Sequence, residues 1–144
     1  MDSGLELFLK KNRKENKEYE LCVTKSFLDE NGEPIKWKIR VLNSKEYDDI
    51  RKESTYDVKV KGKKNMYNEK IDTTKMMKLM ICKCIVFPNL YDKALQDSYG
   101  VMTPEDLLNE LIGNIGEYNE LLEFVCNING VNDDIEDLVE EAKN

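Results

Sequence analysis

A chain of 144 residues with 40% apolar side chains is long enough to build one domain around a core, and its formal net charge of −7 argues against a polyanion such as nucleic acid as the default partner. No stretch approaches the roughly 18 apolar residues that span a bilayer. The absence of histidine removes every Ser–His, Cys–His and imidazole acid–base arrangement.

The first residues, MDSGLELFLKKNRKEN, place acid before a very short apolar patch and base after it. That order is unlike a secretory signal, so the expected compartment is the cytoplasm. Residues 1–18 read as an arm. Ser3 and Glu6 have capping-box spacing, and Leu5, Phe8 and Leu9 fall on one side of a short helix. Such a helix is too short to persist alone and must dock on its own domain or a partner. Lys10 to Glu18 is a polar tether. Residues 19–144 are expected to form one domain, sheet-forming over 19–70 and helical over 71–144.

In YELCV, Tyr19, Leu21 and Val23 share one face. In IKWKIRV, Ile35, Trp37, Ile39 and Val41 alternate with Lys36, Lys38 and Arg40. Period-two alternation with the turn-rich DENGEP between predicts an antiparallel hairpin with one dry face. Asn43 and Glu46 form a second capping box, opening a helix of about ten residues that buries Tyr47 and Ile50. YDVKVKGKK alternates through Tyr56, Val58 and Val60, either as a third strand turning at Gly62 or as a loop. Its lysines, Lys59, Lys61, Lys63 and Lys64, are expected to be solvated or to meet an acidic patch. NMYNEKI gives no clear assignment.

From Asp72 the period becomes helical, through Met77, Met80, Ile81, Cys84 and Ile85, with Pro88 ending the helix at or before Phe87. Asn89 reads as the cap of a short helix with Leu90, Ala94 and Leu95 inward and Gly100 as its stop. Thr103, Pro104 and Asp106 have the chemistry of a helix start, and Met102 and Leu107 have staple spacing. Leu107, Leu108, Leu111 and Ile112 then form a buried stripe up to Gly113. A further helix runs from Glu117 to Asn129, with Tyr118, Leu121, Leu122, Val125 and Cys126 inward and Gly130 as its stop. Asp133 caps a last one, with Ile135, Leu138, Val139 and Ala142 inward. The fold class is therefore α+β: a small antiparallel sheet followed by a cluster of short helices.

Little here carries chemistry. The four cysteines, Cys22, Cys82, Cys84 and Cys126, have no Cys-x2-Cys spacing and read as free thiols. KGKK lacks the spaced glycines of a phosphate cradle. Adjacent acids such as Glu105-Asp106 sit where a helix dipole favours them. No catalytic, cofactor or metal residue is expected, and no enzyme.

The chain nevertheless resembles a known family. SFLDENGEPIKWKIRVLNSKEYDDIRKE at Ser26–Glu53, VKVKGKK at Val58–Lys64, VFPNLYDKALQDSYGVMTPEDLLNELI at Val86–Ile112 and GEYNELLEFVCNINGVNDDIEDLVEEAKN at Gly116–Asn144 follow the order and spacing of the tail assembly chaperones of contractile-tailed phages and phage-like elements in Gram-positive bacteria. The resemblance implies a cytoplasmic helper that binds the tape measure protein and keeps it soluble while the tube polymerises, and that is absent from the mature virion. The tail tube protein and a second copy of the chain are further expected partners. The candidate partner contacts are Met76, Met77, Met80, Tyr99, Met102, Tyr118 and Leu122, because methionine and aromatic side chains adapt to a helical client. Two other readings stand beside it: a permanent adaptor of the tail or baseplate, and a prophage DNA-binding regulator. The second is disfavoured by an acidic half, residues 71–144, with 5 basic and 15 acidic groups.

Overall fold

The structure, a computed structural model, describes residues 4–132. The Ser3 cap and the helix expected after Asp133 lie outside the described residues.

The first sheet has strands β1 (Tyr19–Leu21), β2 (Trp37–Ile39) and β5 (Ile85–Phe87), all antiparallel, in the order β1-β2-β5. Tyr19 faces Ile39 and Leu21 faces Trp37 across the first pair, and Ile39 faces Ile85 across the second. The alternation in IKWKIRV has the expected effect: Trp37 and Ile39 are buried while Lys38 is exposed. Between β1 and β2, the Asp29 carboxylate accepts the backbone N–H groups of Asn31 and Glu33, Gly32 takes φ +78°, and Leu28 bridges to Pro34. The connection is thus a long loop with its own tight turn.

Two expectations about the sheet are corrected. The helix α2 (Thr73–Cys84) stops before Ile85, and Ile85–Phe87 becomes the third strand. Branched residues followed by Pro88 disfavour helical backbone, and the open side of β2 supplies partners, with the Arg40 N–H donating to the Cys84 carbonyl at 2.8 Å. The strand expected around Tyr56–Val60 exists, but outside this sheet. It is β3 (Thr55–Lys59), which pairs only with β4 (Tyr67–Ile71), the segment that sequence left unassigned, in a separate two-stranded ribbon.

Helix α1 (Ser44–Glu53) begins with the complete Asn43–Glu46 capping box and buries Ile50. Glu46 also receives both terminal nitrogens of Arg40, at 3.0 and 2.5 Å, so one carboxylate closes the cap and ties α1 to β2. α2 is the centre of the molecule. Helices α1, α4 (Pro104–Leu111) and α5 (Ile115–Asn129) all pack on it. That is why Met76, Met80, Ile81, Cys82 and Cys84 are all buried, where one stripe through Met77 was expected. Cys82 and Cys84, two positions apart on a helix, face different ways, and both are buried.

The later helices open on the expected chemistry with local shifts. Thr103 caps α4, and Gly130 ends α5 at φ +68°. The short α3 (Lys93–Ser98) is capped by Asp92, while Asn89 instead closes a turn by accepting the Tyr91 N–H. α5 starts at an Asn114 cap, three residues before Glu117. Met102 is 89% exposed and forms no staple.

Two polar side chains cross-link the halves. The Glu117 carboxylate accepts the Thr24 hydroxyl at 2.8 Å and the N–H groups of Lys25 and Gly113, and the Thr24 bond holds its pKa below the usual range. A Cβ on Gly113 would stand 2.7 Å from that carboxylate, so glycine leaves it room. Asn129 accepts the Leu42 N–H and donates to the Val125 carbonyl, fixing the end of α5 beside the end of β2.

Candidate functional site

The core uses the apolar stripes of the later helices. Leu107, Leu108, Leu111, Leu121, Val125 and Cys126 are all buried with Ile39, Met80 and Ile81. A surface for a partner must therefore come from elsewhere, and the sequence-derived candidates separate accordingly. Met76 and Met80 are fully buried, so a partner meets them only if the core opens. Met77, Tyr99, Tyr118 and Leu122 are half-buried and packed against the core. Tyr118 is further engaged by Lys78, whose Nζ lies 4.4 Å from the ring centre, and burial pushes its hydroxyl pKa up. Of this set, only Met102 projects into solvent. The candidates do not form one exposed surface.

The ribbon does. Residues opposite one another across two antiparallel strands share a face. The register pairs Thr55 with Ile71, Tyr56 with Lys70, Asp57 with Glu69, Val58 with Asn68 and Lys59 with Tyr67, and the Val60 N–H donates to the Met66 carbonyl. Tyr56, Val58, Val60 and Met66 thus lie on one face, and Asp57, Glu69, Lys59 and Tyr67 on the other. Tyr56, Val58, Met66 and Tyr67 are all exposed. The tip turns at Val60–Lys63, with the Lys63 N–H donating to the Val60 carbonyl and Gly62 at φ +78°, the backbone a type II turn requires of its third residue. Lys59, Lys61, Lys63 and Lys64 are exposed around it. The base is fixed where the Asp72 N–H donates to the Ser54 carbonyl at 2.8 Å. Sequence reasoning found the lysines and the alternation of Tyr56, Val58 and Val60, but not the strand that pairs with them or the exposure of the face. NMYNEKI carries Met66 and Tyr67 at its start, yet its Asn-Glu-Lys interior hides any alternation.

The remaining concavities are open and of mixed charge. One cleft of about 430 Å³ lies among Glu53, Asp72, Lys75, Lys78, Glu105 and Asn109, and another of about 440 Å³ runs from Lys45 past Leu79 to Tyr91. Among the described residues no group of histidine, cysteine, aspartate or glutamate side chains is placed to hold a metal ion, and no helix is long and apolar enough to cross a membrane.

The buried thiols are unsuited to nucleophilic work, because burial pushes Cys82 up to about 12 and Cys84 up to about 11, and raises Cys126. Cys22 is exposed. A thiol reagent at neutral pH is therefore expected to modify Cys22 rapidly in the native chain and the other three only on unfolding. Fast native reaction at Cys82 or Cys84 would contradict their placement.

Comparison with known proteins places the chain in a family. Residues 5–143 match the family described as phage XkdN-like tail assembly chaperone protein. Two Bacillus subtilis (strain 168) proteins are similar along 140 residues, which is 97% of this chain and 93% of each relative. They are YqbN at 29% identity and the phage-like element PBSX protein XkdN at 28%. The crystal structure of YqbN superposes with a TM-score of 0.70 at 19% identity, covering 86% of this chain and 93% of that one.

Proposed function

Because this chain belongs to the phage XkdN-like tail assembly chaperone family, whose role is a non-catalytic one in building phage tails, we propose that it binds the tape measure protein and keeps it soluble until the tail tube has formed around it. The family match over nearly the whole chain carries this reading. The exposed apolar side chains of the ribbon, with Met102, supply surface that a helical client needs. The arm, residues 1–18, and the body, residues 19–144, act as separate parts. Within the arm, Leu5, Leu7 and Phe8 are exposed in short 3-10 turns, which leaves them available to a client, to tube protein or to a second copy. In this reading the chaperone works in the host cytoplasm and is left out of the finished particle.

Co-expression with the cognate tape measure protein is the direct test. A soluble complex is expected, together with aggregation of the tape measure protein when it is expressed alone. Two separately soluble proteins that never co-purify would defeat the proposal. Recovery of this chain in stoichiometric amounts from purified particles would assign it instead to the permanent tail structure.

A further inference from the structure

The geometry points to the apolar face of the β3–β4 ribbon as a docking surface for an acidic amphipathic helix. It deepens the chaperone reading, on which it rests only for the identity of the client.

Three observations carry it. First, Tyr56 and Met66 are each 50% exposed on one face of the ribbon, with Val58 and Val60 between them. A two-stranded ribbon gains little stability by itself, and Tyr56, Val58 and Met66 remain exposed on this face. Second, residues 55–71 hold five lysines against two carboxylates on a chain of net charge −7. The ribbon is a basic island on an acidic protein. It attracts an acidic segment, while the body repels a long phosphate backbone or any extended polyanion. The charge is also well placed: Lys61, Lys63 and Lys64 stand at the tip, and Lys70 lies beside Tyr56.

Third, the shape selects a helix over a strand. From Tyr56 to Val60 the stripe runs about 13 Å along the strand, and side chains recurring once per turn cover that length in about two and a half turns. An added strand would pair with a ribbon edge and leave the apolar face in water. A helix laid across the face covers it and brings its flanking carboxylates to the lysines.

The test uses the full chain and two labelled peptides with the same leucine stripe and helicity, one carrying glutamate and the other lysine at its outward positions. Fluorescence anisotropy is expected to show at least tenfold tighter binding of the acidic peptide at low ionic strength, an advantage that shrinks as salt rises. The Val58→Ser/Met66→Ser variant should lose binding of both peptides. Lys63→Glu/Lys64→Glu, which leaves the strands untouched, should lose the preference for the acidic one. Unchanged thermal unfolding of both variants excludes misfolding as the cause. Equal binding of the two peptides, or variants that bind like the parent, overturns the assignment. So does tighter binding of a single-stranded oligonucleotide, which would make the ribbon a nucleic-acid surface. A ribbon-dependent rise in sedimenting mass without any peptide also overturns it and names a second copy as the occupant. Capture of the tape measure protein by the serine variant would remove the ribbon from client binding yet leave the chaperone reading intact. Failure of the parent chain to capture that protein would sink the chaperone reading, while the peptides still judge the ribbon.

Discussion

Replacing Leu108 by alanine is expected to cost about 3 kcal/mol of stability, the middle of the range for truncating a buried leucine. Leu108 is fully buried on α4, a helix of eight residues that contributes Leu107, Leu108 and Leu111 to the core. So short a helix has little stability of its own, and its attachment to α2 depends on those three side chains. For a domain of this size the loss corresponds to a fall of about 10 °C in the unfolding midpoint. Met102, six residues earlier and exposed, is the internal control: Met102→Ala should change stability by no more than about 0.5 kcal/mol. Denaturant unfolding followed by circular dichroism reads both. A loss under about 1 kcal/mol for Leu108→Ala would mean that α4 does not pack as described.

Glu46 governs the acid limb of the stability profile. Its carboxyl is lowered from 4.5 to about 2, first by the Arg40 hydrogen bonds and further by the Asn43 N–H and the Arg40 charge, against an opposing effect of burial. The Arg40 guanidinium is raised correspondingly. A carboxyl depressed on folding stabilises the native state fully above its unfolded value near 4.5, and that contribution disappears as pH falls from there to about 2. The whole shift would amount to about 3 kcal/mol, but the pair is partly solvated, so about 1–2 kcal/mol is expected after screening. Glu46→Gln keeps an acceptor for the cap and removes the charge. It should destabilise the chain by that amount at pH 7, and the gap to the parent should close as pH drops from 5 to about 2.5. A gap that stays constant across this range would show that the ion pair contributes nothing and that only the cap geometry matters.

The features legible in the sequence are those set by neighbours a few residues away. The Asn43 box, the Thr103-Pro104 start and the glycine stops at Gly100 and Gly130 depend on local backbone groups, so spacing reveals them. The alternation around Trp37 and Ile39 was legible because only one face of β2 is dry. What escaped depends on distant partners. Ile85 suits a helix by period, and only the open edge of β2, some 45 residues earlier in the chain, makes it a strand. α2 looks like a helix with one apolar stripe, yet three other helices cover it, which moves the buried set to Met76 and adds Cys82. The same displacement affected the candidate contacts. Methionines that look adaptable in sequence fill the core at Met76 and Met80, while the exposed apolar face arises from pairing with a segment whose alternation is too weak to see. Glu117 and Asn129 gave no signal, since a polar residue near a helix end has many uses and its partners, Thr24 and Leu42, lie about 90 residues away.

The late position of β5 also orders events on the ribosome. While the nascent chain ends before Ile85, β2 has a neighbour on one side only, and Ile39 and Trp37 lack their final cover. The ribbon, by contrast, joins residues at most 16 positions apart and can close as soon as Ile71 leaves the exit tunnel. A partner that recognises the ribbon would therefore meet both of its strands during translation, and would stabilise a pairing that is marginal alone.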